Sequence, residues 1–151
     1  MDSQHDSLGF LLSDVSRSMR RVFKERIKGS SLTLAQSRVL VHVSRREGIR
    51  QIDLAEILEV QPITLARLID QLAGARAVER RADPTDRRAY RIFLTPASKP
   101  HLAAIYRVVD SIRDEALRSV ARRDAATLHA VLRKMRDNLA GRRPASAASS
   151  S

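Results

Sequence analysis

Apolar residues recur at steps of three and four along the first part of the chain, from Leu8 through Leu11, Leu12, Val15, Met19, Val22 and Phe23 to Ile27. Such spacing lays one stripe along a long helix, which Gly29-Ser30-Ser31 stops. Thr33-Leu34-Ala35-Gln36 reads as a capping box, a Thr oxygen serving one orphan N–H while Gln reaches back. A second helix follows with Val39, Leu40 and Val43 inside, and breaks near Gly48. A short third helix covers 51–58, with Ile52, Ala55 and Leu58 on one side and Leu54 and Ile57 adjoining. Val60-Gln61-Pro62 makes the turn, and Pro62 suits the first position of a new helix because its missing N–H is no loss there. That fourth helix runs to about Ala75 and buries Leu65, Leu68, Ile69 and Leu72. At 100° per residue, Ile63, Arg67 and Asp70 then point outward, with Thr64 and Gln71 on the flanks.

After this helix the period drops from 3.6 to 2. Val78–Arg81 is a short strand candidate, and Tyr90–Thr95 a better one, with Tyr90, Ile92 and Leu94 on one face and Arg91 and Phe93 on the other. Between them lies a long, charged hairpin tip, opened by the turn-starting pair Asp83-Pro84. Thr95-Pro96 then begins a long helix through Leu102, Ile105, Val108, Val109, Ile112, Ala116 and Val120. Asp124 is expected to cap a last helix with Leu128, Val131, Leu132, Met135 and Leu139, which Gly141 ends. Residues 142–151 form a Pro/Ala/Ser-rich stretch with nothing to bury, which reads as a disordered tail.

The predicted fold is mainly α with a small β-hairpin wing. Two short helices joined by a tight turn, then an arginine-tipped hairpin, are the parts of a winged helix-turn-helix, here flanked by long dimerisation helices. Residues 33–95 form the DNA-binding lobe, and 1–32 with 96–141 form a helical dimerisation region. The outer stripes are wider than the compact middle block can cover, so a second copy is expected to bury the surplus in an obligate homodimer.

Composition narrows the function. The 151 residues carry 28 Lys+Arg against 17 Asp+Glu, a formal net charge of +11, and 24 of the basic residues are arginine. A basic excess points to an anionic partner, nucleic acid first. Its placement is uneven: residues 33–66 balance at four against four, whereas 67–95 hold seven arginines against four acids. Zero cysteines exclude a disulfide framework, a thiolate zinc site and a thiol nucleophile. The polar, acidic opening residues are unlike a secretory leader, and no apolar stretch approaches a membrane span, so a soluble cytoplasmic protein with no membrane role is expected. The five glycines supply neither a dinucleotide-binding nor a P-loop pattern, and no nucleophile-elbow or zincin motif is present. An enzyme is therefore not expected. Five aromatics, widely spread, are too few for the stacking platforms of a single-strand RNA binder; a nucleoid-associated or RNA-binding basic protein without an effector is the alternative. His5, His42, His101 and His129 lack metal-ligand spacing, and neither a metal nor another cofactor is expected.

The runs Gln51–Leu58, Gln61–Leu72 and Val78–Ile92 with Leu94-Thr95 resemble the MarR family of bacterial transcription regulators, most closely its SlyA-like branch. The Asp83-x-x-Asp86-Arg87-Arg88 wing, followed by an alternating strand ending Leu-Thr, is the most specific element; motif-level likeness covers about residues 33–95. The resemblance implies a triangular homodimer whose first and last helices interlock, with two winged lobes one DNA turn apart on a palindromic site. It also implies a regulator of double-stranded operators, expected to repress and to be released by a small aromatic or phenolic effector. Two departures stand out. Family members often place Gly just after the recognition helix for a left-handed cap, but here Gly74 comes early and Arg76 takes that place. Ala77 replaces a bulkier residue before the strand.

Arg67 is the leading candidate for base readout, because an outward guanidinium in the major groove can grip guanine O6 and N7 together. Thr64 suits a thymine methyl or a phosphate, or is an inert first-turn residue. Gln61 and Gln71 are weaker candidates on the same helix, and Gln61 is equally a capping neighbour. Arg87 and Arg88 at the wing tip suit a narrow minor groove, where the negative potential is deepest; Asp86 is expected to orient one of them by a charge-assisted hydrogen bond. Arg91, like Arg80 and Arg81, lies along the strands as a phosphate contact or plain surface, and Arg38 offers a phosphate contact from the second helix. Arg17, Arg20 and His42 are candidates to line an effector pocket, against the ordinary reading of surface, dimer contact or half-buried histidine.

Overall fold

A computed structural model describes residues 7–141, so the 142–151 stretch read as a tail lies outside the described residues. The order of elements is α1 (Leu8–Arg26), α2 (Leu34–Arg45), β1 (Ile49–Arg50), α3 (Gln51–Leu58), α4 (Pro62–Gly74), β2 (Val78–Ala82), β3 (Tyr90–Leu94), a 3-10 turn (Pro96–Ser98), α5 (Lys99–Ala116) and α6 (Arg122–Ala140). The chain divides into two compact units at the Ile112/Arg113 junction. The fold class is the predicted one: mainly helical with a small antiparallel sheet.

Local signals place the first unit's elements. Thr33 and Gln36 close the predicted capping box, the Gln36 N–H donating to Thr33 Oγ1 at 3.1 Å and the Thr33 N–H to Gln36 Oε1 at 3.0 Å. Pro62 stands at the start of α4. Val39, Leu40, Val43, Leu54, Leu65 and Ile69 are fully buried, and Ile92, Ile105 and Phe23 join them in one aliphatic core. α2, α3 and α4 pack mutually on the sheet, the arrangement that holds one helix outward.

The structure departs from expectation in four places. The sheet has three strands, ordered β1-β3-β2, with Ile49 paired to Ile92 and Arg50 to Arg91. A two-residue strand has no alternation to read, so β1 left no sequence signal. Ile52, expected inside, is 65% exposed, because α3 seats Leu54, Ala55 and Leu58 on the core instead. The long helix expected to continue to Val120 leaves the α conformation at Leu117, and Ser119 takes a positive φ of 66°. Asp124 lies within the first turn of α6, where a carboxylate complements the helix dipole, and Ala121 occupies the cap position.

Both helices of the helix-turn-helix end on a non-glycine residue in left-handed geometry, Glu59 at φ 55° and Arg76 at φ 59°. After α4, the Ala77 N–H donates to Leu72 O at 2.8 Å and the Arg76 N–H to Ala73 O at 2.9 Å. This is a Schellman closure. Arg76 thus adopts the conformation for which glycine is favoured, and Ala77 is fully buried beneath it.

The outer helices keep broad apolar faces uncovered. Leu8, Leu11, Leu12, Val15 and Met19 on α1 are all exposed, as are Leu128, Val131 and Leu139 on α6. α6 buries no residue at all. No helix among the described residues is long and apolar enough to cross a membrane.

Candidate nucleic-acid interface

α4 projects Gln61, Ile63, Thr64 and Arg67, all exposed. The wing tip carries exposed Asp86, Arg87 and Arg88. What separates the arginines of this region is whether their guanidinium groups already have a protein partner.

Arg80 is tied three ways. Its Nε donates to Gln51 Oε1 at 2.9 Å, Nη1 to Asp70 Oδ1 at 2.6 Å and Nη2 to Ala66 O at 3.1 Å. It therefore staples β2 to α3 and to the middle of α4, fixing the helix against the wing. Arg81 pairs with Glu79 and lies over the Phe93 ring, 3.9 Å from its centroid. That ring in turn packs on Gly48.

Arg50 and Arg91 converge on one acid. Asp83 is buried, and its Oδ2 accepts from Arg50 Nε and from Arg91 Nε, each at 2.9 Å. Its Oδ1 accepts from the Thr85 N–H at 2.8 Å and from the Thr85 hydroxyl at 2.7 Å. Arg91 Nη1 also donates to Gly48 O at 2.9 Å. The two Thr85 bonds, helped by the Arg50 and Arg91 charges and opposed by burial, hold the Asp83 carboxyl far below the usual carboxylate range. Asp83, Thr85, Arg50 and Arg91 together form the root that clamps the wing. Beyond its place in the wing motif, Asp83 reads from the sequence only as a turn starter. The Asp-Pro-Thr spacing of an Asx turn, with arginines on neighbouring strands, was the signal available.

Asp86 does a different job from the one expected. Its Oδ1 accepts the Arg88 backbone N–H at 3.0 Å and shapes the tip turn, rather than aiming a guanidinium. Among the described residues, no hydrogen bond or ion pair engages the guanidinium groups of Arg67, Arg87 or Arg88. Gln71 accepts a hydrogen bond from Gln36 Nε2 at 3.0 Å, which links α4 to α2. Gln61 caps α4 by backbone conformation alone, without a side-chain bond. Arg38 is half-buried on α2.

An open cleft of about 280 Å³ runs between wing and helices, lined by Arg50, Gln51, Ile52, Pro62, Arg88 and Tyr90 among others. None of the three effector-pocket candidates lines it. Arg17 is exposed and pairs with Asp14 at 2.6 Å, Arg20 is exposed, and His42 is half-buried on α2. Burial, then the nearby Arg45 and Arg38 charges, push the His42 imidazole below its ordinary value. No group of acidic or histidine side chains among the described residues is placed to hold a metal ion.

A helix-turn-helix on a three-stranded sheet, with exposed arginines on the projecting helix and at the wing tip, is a winged helix-turn-helix lobe. Comparison with known proteins makes the assignment specific. The MarR family model matches residues 32–90. The crystal structure of transcriptional regulator PA3341 is 34% identical, covering 90% of this chain and 100% of that one at a TM-score of 0.76. A MarR crystal structure is 26% identical over 93% of this chain and 95% of its own, with a TM-score of 0.81. A cysteine-to-serine variant of MarR from E. coli, complexed with operator DNA, is 26% identical over 85% of this chain and 92% of its own, at a TM-score of 0.68. The chain belongs to the MarR family, whose members are transcription factors and not enzymes.

Proposed function

We propose that the protein is a homodimeric repressor that binds near-palindromic duplex operators, with α4 in the major groove and the wing in the flanking minor groove. The observation that carries this reading is the division of the arginines. Arg50, Arg80, Arg81 and Arg91 hold the lobe together, while Arg67, Arg87 and Arg88 are exposed and their guanidinium groups make no hydrogen bond or ion pair among the described residues. A guanidinium left free beside tied neighbours is available to guanine O6/N7 or to a narrow groove. Thr64 and Gln61 flank the reading face. Gln71 and Arg38 border it from α4 and α2, and Asp86 sets the tip. Arg91 acts from the wing root.

The uncovered stripes of α1 and α6 support dimerisation, and one MarR relative is seen on operator DNA. The wing sequence Asp83-x-x-Asp86-Arg87-Arg88 supports placement in the SlyA-like branch. Release by a small aromatic or phenolic acid belongs to the same reading. The cleft beside the wing offers Ile52, Pro62 and Tyr90 as apolar walls with Arg88 as the free cation beside the tied Arg50, so a ligand seated there competes with DNA for Arg88. Arg17, Arg20 and His42 mark a second location for such a ligand.

Selection of bound sequences from random duplex DNA tests the whole. The expected result is a two-fold motif with half-site centres about 10 bp apart, whose affinity falls with salt and with an added hydroxybenzoate. A motif without two-fold symmetry, or equal binding to single-stranded RNA, refutes it.

A further inference from the structure

Ile63 is the most exposed large apolar side chain among the described residues, 74% accessible at the second position of α4. A β-branched side chain loses rotamer freedom in a helix, and here it stays outside the apolar core. Polar residues share its exposed stretch of helix: Gln61 and Thr64 are near in sequence, and Arg67 follows four residues later on the same stripe. The start of a recognition helix is where side chains meet base edges. Of the four bases, thymine alone presents an apolar group in the major groove, its 5-methyl.

We propose that Ile63 is a specificity-determining residue that reads the 5-methyl group of a thymine. This rests on the reading of α4 as the recognition helix. For an α4 axis that follows the groove, spacing along the helix also sets where the thymine is to be sought. Four residues at a rise of 1.5 Å separate Ile63 from Arg67 by about 6 Å along the helix. Base pairs step at about 3.4 Å, so the thymine falls within two base pairs of the guanine that Arg67 grips. Covering Ile63 with one methyl group corresponds to about a fourfold gain in affinity per half-site.

The test uses the full chain and its selected operator, with each thymine of a half-site replaced in turn by deoxyuridine, which removes only the methyl group. One position within two base pairs of the Arg67 guanine is expected to weaken wild-type binding about fourfold per half-site. Ile63→Ala is expected to bind the thymine and deoxyuridine duplexes equally, with unchanged melting temperature and sedimentation. If wild type ignores every deoxyuridine, or Ile63→Ala keeps the discrimination, the inference is overturned while sequence-specific binding stands. If Ile63→Ala instead changes the oligomeric state, a second copy covers the residue and the inference is again overturned. Failure to select any duplex sequence removes the recognition-helix reading, and this inference with it.

Discussion

Replacing Arg80 and Arg67 by alanine, one at a time, separates an arginine that builds the lobe from one that projects from it. Arg80→Ala deletes the bonds to Gln51 Oε1 and Ala66 O, each contributing about 1 kcal/mol net. The Asp70 pair adds little, because Asp70 is 67% exposed and regains water when its partner leaves. The expected loss is about 2 kcal/mol. In a chain of this size that lowers the melting temperature by about 4–8 °C. Arg67→Ala removes no side-chain hydrogen bond or ion pair among the described residues and should leave the melting temperature within about 2 °C of wild type. On DNA the order reverses in character. Arg67→Ala should cost about 1–3 kcal/mol per half-site and relax preference at one base pair. Arg80→Ala, by loosening α4 against the wing, should weaken binding without changing which base is preferred. Thermal denaturation and binding to the selected operator and its single-base variants read both effects. If Arg67→Ala melts as early as Arg80→Ala, or Arg80→Ala melts like wild type, the division of the arginines is wrong.

Arg88→Ala should weaken many sequences together and reduce the salt slope by about one unit per half-site, read from affinities between 50 and 200 mM salt. Arg76→Gly should stabilise the fold by about 0.5–1 kcal/mol, because glycine takes the left-handed cap without the penalty an L side chain carries; a lower melting temperature would contradict the Schellman assignment. Asp83 has a folded value below its unfolded one near 3.9, so its contribution is present above about pH 4 and is lost as pH falls further. Asp83→Asn should therefore be less stable at neutral pH and flatter in an acid titration below pH 4. Sedimentation at low micromolar concentration should give about twice 16.9 kDa, and a folded monomer there would contradict the use assigned to α1 and α6.

Much of the fold was legible because its signals are local. The capping box at Thr33, the Pro62 start, the 3.6-residue stripes and the alternation of Tyr90–Leu94 each depend on a few neighbouring residues. The elements missed depend on partners distant in sequence. β1 exists because Gly48 and Ile49 meet Ile92, 43 or more residues on. Ile52 faces outward because Leu54 and Leu58 compete for the same core. At the site, the outward placement of Arg67, Arg87 and Arg88 could be read from position on a helix and a hairpin. The roles of Arg80 and Asp83 could not, since each gathers partners from separate elements. Asp86 shows the limit from the other side: it is expected from sequence to orient Arg87 or Arg88 by a charge-assisted hydrogen bond, but its Oδ1 accepts the Arg88 backbone N–H instead.

The tied arginines also bear on how this sequence can drift. Arg50, Arg80 and Arg91 each donate through Nε while a terminal nitrogen reaches a second acceptor. An ammonium group is a single point on a flexible stem and lacks the fixed planar fork that meets two acceptors from different directions. A chain with 24 arginines and four lysines could exchange most of its solvated arginines for lysine under a shift in genomic base composition. At these three positions the exchange would leave acceptors unmatched in the lobe, so a relative from a lysine-rich proteome should still carry arginine there.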